Sequence, residues 1–154
     1  MKTRRLMCML MVCTLMLIGV IPHAVAAEAS GEVIWLEDLN WEWIDLSTVD
    51  GPQGDFAPQT TDSINIVLAG KTIQAATPFL SLSANDTVAF NCSFSPSSTS
   101  LDFGVLSSSG KFYSVNVKGG SIHQAIGINQ SGSYAVAVRN NSSQTVRVVG
   151  FVNY

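Results

Sequence analysis

Residues 63–154 predict an all-β fold, an antiparallel β-sandwich of about eight strands. Three observations carry that expectation. The apolar residues fall in short runs rich in Val, Ile, Phe and Tyr. Clusters of Gly, Asn, Ser and Pro, which favour turns, separate the runs at regular intervals. Within most runs apolar and polar residues alternate, the period of a strand with one face covered.

The runs follow in order. Ile64–Leu68 stops at Gly70-Lys71, and Thr72–Ala75 comes next. Phe79–Ser83 stops at Asn85-Asp86, and Thr87–Phe94 stops at Pro96-Ser97-Ser98. Leu101–Leu106 precedes the turn Ser107–Gly110, and Lys111–Val117 precedes Gly119-Gly120. Ile122–Ile128, Ser133–Arg139 and Gln144–Tyr154 complete the series. Alternation selects the core faces: Val88, Phe90, Cys92 and Phe94; Leu101, Phe103 and Val105; Tyr113, Val115 and Val117; Ile122, Ile126 and Ile128; Tyr134, Val136 and Val138. Ala135 and Ala137 lie on the opposite side of their strand and are small enough for close cover. Val148-Val149 beside Gly150 suggests a bulge or a strand buried on both faces. So many strands cannot remain one open sheet with a bare apolar face, so two packed sheets are expected, with a closed β-barrel as the alternative. In composition, runs such as Gly132–Val138 resemble accessory sandwich domains of exported bacterial proteins; the likeness names no family.

The chain opens differently. Lys2, Arg4 and Arg5 precede an apolar run from Leu6 to Ile21, and Ala24-Val25-Ala26 supplies the small residues a signal peptidase requires. That order is a cleaved signal peptide, residues 1–26, and it predicts a secreted, extracellular protein. The run falls short of the roughly 20 residues of a spanning helix, so no stable membrane insertion is expected after cleavage. Cleavage removes Cys8 and Cys13 and leaves Cys92, which the strand pattern sends into the core. It also leaves five basic residues against 11 acidic ones, so the net charge falls from −3 to −6. An acidic protein lacks the Lys and Arg that displace counterions from a phosphate backbone, so nucleic acid is not an expected partner.

Residues 27–62 form an acidic segment and linker. Nine carboxylates and no basic residue fall in it, with Trp35, Trp41 and Trp43. Leu36, Leu39, Trp43 and Leu46 share a helical stripe, whereas Leu39, Trp41 and Trp43 also fit alternation, so a short amphipathic helix or a docked strand are both open. Gln53–Thr61 reads as a loose linker. Asp50 and Asp55 bracket Gly51–Gly54, yet the spacing is not that of a calcium loop.

Chemistry is sparse. After cleavage His123 is the sole histidine, and alternation turns it away from the face that carries Cys92, so the two do not form a nucleophile and base. No phosphate loop, nucleophile elbow or His/Cys metal spacing occurs, so no catalytic residue, metal or cofactor is assigned and no enzyme is expected. Asn85, Asn91, Asn129, Asn140 and Asn141 match the N-glycosylation pattern, although most also serve as turn residues. The expected function is a secreted, non-catalytic binding module for an extracellular ligand, glycan or protein. Trp35, Trp41 and Trp43 are the candidate ligand-binding residues, with Tyr113, Tyr134 and Tyr154 as further aromatic surface; the plainer reading, favoured by the burial energy of large aromatics, is that the tryptophans anchor the segment to the sandwich. The alternative is a self-associating surface protein that uses the N-terminal segment as an interaction strand, making a homo-oligomer. An enzyme of unknown type is third.

Overall fold

The structure, a computed structural model, describes residues 32–52 and 61–154. The expected leader and most of the expected linker, Gln53 onward, lie outside the described residues. The described chain is all-β and contains eleven strands: β1 (Val33–Trp35), β2 (Asn40–Trp43), β3 (Thr61–Leu68), β4 (Ile73–Ala75), β5 (Leu80–Leu82), β6 (Thr87–Ser95), β7 (Ser100–Ser107), β8 (Lys111–Lys118), β9 (Ser121–Gly127), β10 (Gly132–Asn140) and β11 (Val146–Asn153). The nine runs read from the sequence match β3 to β11.

The strands form two sheets. One has the order β1-β9-β6-β11-β3, the other β2-β8-β7-β10-β4, with β5 also on β10. Neither closes on itself, so the barrel alternative is set aside. All pairings are antiparallel except β1 with β9, which is parallel. Short β4 and β5 share the free edge of β10 end to end. Where the chain breaks between them, the buried Thr77 hydroxyl accepts from the Val136 amide at 2.9 Å and stands in for a ladder bond.

The main core lies between the sheets. Val88, Phe90, Cys92, Phe94, Leu101, Phe103, Val105, Ile122, Ile126, Ile128, Tyr134, Val136 and Val138 are all buried there, on the faces that alternation selected. Phe103 meets Phe90 and Phe94 with ring centroids 5.9 and 6.0 Å apart. Tyr113, Val115 and Val117 face the same core but are only partly covered, because just the short β2 lies beyond β8.

A second, smaller core sits on the opposite face of the β7–β10 sheet. Ile73, Leu106, Phe112 and Ala137 are buried there, with Ile44 and Val49 packed over them. The segment that follows β2 thus runs across the outside of this sheet, which is why Ala135 and Ala137 are small. The Asp50 carbonyl accepts from Ala75 N at 2.7 Å. A Cβ on Gly51 would lie 2.7 Å from the Ala75 Cβ, so glycine permits this approach.

Three expectations need correction. Of the two readings left open for the N-terminal segment, helix gives way to docked strand, and the segment is not separate from the sandwich. It supplies β1 to one sheet and β2 to the other, with a single 3-10 turn, Leu36–Asp38, between them, and the expected boundary at residue 62 falls inside β3. The helical stripe is dispersed: Leu36 is in the main core while Trp43 and Leu46 are exposed. Open edges on β8 and β9 offer backbone partners that outweigh a weak helical period. Finally, β11 has no bulge. Its residues pair one for one with β3 and β6, and Val149 and Phe151 are exposed on the outer face while Val148 and Val152 are buried. Gly150, at φ 153°, is needed for another reason: a Cβ would stand 2.2 Å from the Asn91 carbonyl oxygen.

Candidate ligand-binding edge

The three tryptophans do not form one platform. Trp35 pairs with Gly127, whose face is set by its register with β6 as the outer face of the β9 sheet. Its ring fills the space that a side chain at 127 would take, 2.5 Å from where a Cβ would sit. Trp35 is a half-buried anchor for β1.

Trp41 and Trp43 are different. They project from β2, the edge strand, on one side of it, opposite Tyr113 and Lys111 of β8. They are 50% and 63% exposed, the more exposed two of the three. Their rings stand edge to face, centroids 5.9 Å apart at 90°. The Lys111 ammonium lies 4.5 Å from the Trp41 centroid and 5.5 Å from that of Trp43, within cation–π range of both.

Two devices hold this edge. At its end, Ile44 N donates to Gly110 O at 2.8 Å, which clips β2 to the β7–β8 turn. Gly110 has φ 94°, and a Cβ there would press on the Ile44 carbonyl oxygen at 2.8 Å. On the reverse side, Glu42 pairs with Arg139 of β10. Arg139 donates through Nε (3.0 Å) and Nη2 (2.5 Å) to Asp102 Oδ2, while Asn116 Nδ2 donates to Asp102 Oδ1 at 2.6 Å. The guanidinium also lies over the Phe112 ring, 5.7 Å from its centroid. One arginine thereby ties β2 to β7, β8 and β10. Partial burial lowers the Arg139 pKa from its ordinary value.

Lys111 also lines a groove of about 200 Å³. Its walls are Ser107, Ser108, Ser109, Gln130, Ser131, Gly132 and Ser133, with Tyr113 and Tyr134. The Ser107 hydroxyl accepts from Lys111 N at 3.0 Å and bonds the Ser109 hydroxyl at 2.8 Å. Ser108 N donates to Ser133 O at 2.9 Å, so the turn is fixed to β10. Tyr134 donates to the Gln130 carbonyl at 2.9 Å, and burial first, then the charge of Tyr113, raises its pKa. Tyr154 lies elsewhere, donating to Asp62 at 2.5 Å.

The residues weighed for catalysis stay apart. Cys92 is buried in the core, where desolvation raises its pKa to about 11. His123 is exposed on the outer face of the same sheet, opposite Asn91. Asp86 accepts from Ser83 N at 2.7 Å in its turn. Among the described residues no three His, Cys, Asp or Glu side chains gather in one place. Asn140 is fully buried, its amide donating to Ala69 O at 3.0 Å and Gln144 O at 2.7 Å, so this glycosylation match is spoken for by the fold.

Of the residues the sequence singled out, Trp41, Trp43 and Tyr113 share one side of the β2–β8 pair and Tyr134 lines the groove, whereas Lys111 and the serines carried no signal of their own. Their proximity depends on β2 pairing with β8, a register that no local pattern encodes. The chain matches no protein-family model, no curated protein and no solved structure.

Proposed function

We propose that this protein is a secreted, non-catalytic binding module that holds a glycan at the Trp41/Trp43 edge. The observation that carries the reading is the exposure of two large aromatic rings on a braced edge strand beside a hydroxyl-lined groove. Indole faces pack against the C–H faces of sugar rings, and serine and glutamine groups exchange hydrogen bonds with hydroxyls. An aromatic pair left in water without a partner is otherwise costly. Titration with cello-, xylo-, chito- and galacturono-hexaose should change tryptophan fluorescence for at least one sugar. The double variant Trp41→Ala/Trp43→Ala should bind that sugar at least tenfold more weakly. Unchanged affinity in the double variant removes this reading.

Self-association is the second reading, favoured by a different observation. β3 presents an eight-residue outer edge with no partner strand among the described residues, and Val67 on it is 61% exposed. Such an edge accepts a further strand. Light scattering across a hundredfold concentration range tests it, and a monomer throughout rules it out.

A further inference from the structure

Lys111 gives the glycan reading a sign of charge. Among the described residues it makes no ion pair, since both pairs found there belong to Arg139. Its ammonium stands by both indole rings, and the same residue lines the serine groove. The two acidic side chains that neighbour the tryptophans in sequence are engaged elsewhere. Glu42 is on the reverse face against Arg139, and Asp45 accepts from both the amide and the hydroxyl of Ser47. The carboxylates nearest in sequence therefore leave the cation unmatched. A cationic head group would have to displace Lys111 from the indole faces, whereas an anion adds to it.

We infer that the edge recognises an acidic sugar, a residue carrying a carboxylate, with its ring on Trp41 and Trp43 and its carboxylate on Lys111. The inference rests on the glycan reading above and deepens it. A carboxylate on an ammonium makes a charge-assisted hydrogen bond, stronger than a neutral one. The serine hydroxyls of the groove can donate to the second carboxylate oxygen or to ring hydroxyls. The acidity of the whole chain limits the ligand: a dense polyanion is repelled at long range, while one or two uronates next to Lys111 are not.

The probes are digalacturonate and its dimethyl ester, compared by tryptophan fluorescence at low and high salt. Wild type should bind the acid about tenfold more tightly than the ester, in keeping with one charge-assisted bond. Lys111→Gln should erase that preference while still binding the ester, and Lys111→Arg should keep it. Raising salt should narrow the gap between acid and ester. Equal binding of the two probes by wild type, or a preference that survives in Lys111→Gln, overturns the inference and leaves the tryptophan platform standing. Binding of neutral hexaoses alone, lost in Trp41→Ala/Trp43→Ala, has the same meaning. Binding of choline in place of any sugar, or of no saccharide at all, overturns both.

Discussion

Asn140 shows how much a single buried side chain can decide. Its amide serves the carbonyls of Ala69 and Gln144, and its oxygen accepts from Ser142 N at 3.0 Å and Ser142 Oγ at 2.7 Å. It joins the β3–β4 turn to the β10–β11 turn. Asn140→Ala should cost about 1–3 kcal/mol, because two part-buried carbonyls lose a donor that sits at a fully buried position. Urea denaturation measures it. Cys92 makes an opposite kind of case, a reactive group silenced by its setting. Its thiol should resist alkylation at pH 8 until the protein is unfolded. Its folded pKa is raised from 9.0 to about 11, so the native state disfavours the thiolate. Below pH 9 the group leaves stability unchanged. Between pH 9 and 11 the unfolded chain loses a proton that the folded chain keeps, so stability falls as pH rises through that window. A Cys92→Ala variant should show a flatter profile there, and an identical slope would mean that other groups control it.

At the level of elements, β2 has only four residues, too few to hold an edge by ladder bonds alone. Arg139 supplies the remainder. Asp102 is 7% exposed in its side chain, so Arg139→Ala strands a buried carboxylate and should cost about 3–5 kcal/mol. Glu42 is 44% exposed in its side chain, and Glu42→Ala should cost under about 1 kcal/mol. The Glu42 variant should nonetheless speed hydrogen exchange at the amides of residue 42 and Ile44, which point at β8, and protection equal to wild type would show that the tether is idle. The nine strands from β3 onward were legible because each carries its own alternation and its own turn. β1 and β2 were not. Each is three or four residues long, and which edge each joins is fixed by partners far along the chain. The same blindness hid Phe112 and Leu106. Alternation assigns them to the solvent side, and only the crossing of Ile44–Val49 makes that side a core.

On the scale of the whole molecule, the described chain is a sandwich with an extra cover on one side. Val49 is the test of that cover. Val49→Asp places a carboxylate against Leu106, Phe112 and Ala137 and should lose about 1–3 kcal/mol, with increased binding of a hydrophobic dye. A variant with native stability and no added dye binding would show that the outer core does not depend on this segment. The cover also links the Trp41/Trp43 edge to overall stability, since one stretch of chain carries Trp43 at its start and Val49 near its end.

The pairing of β1 with β9 and of β2 with β8 also governs time. Val33 meets Ala125, and Trp41 meets Tyr113. Strands made early in synthesis thus wait for strands made late, and loop closure over such separations is slow. During that wait the indole rings have no site to occupy and remain available to chaperones or to neighbouring chains. The edge that is proposed to meet a sugar in the finished protein is, in the nascent one, the segment most in need of an escort.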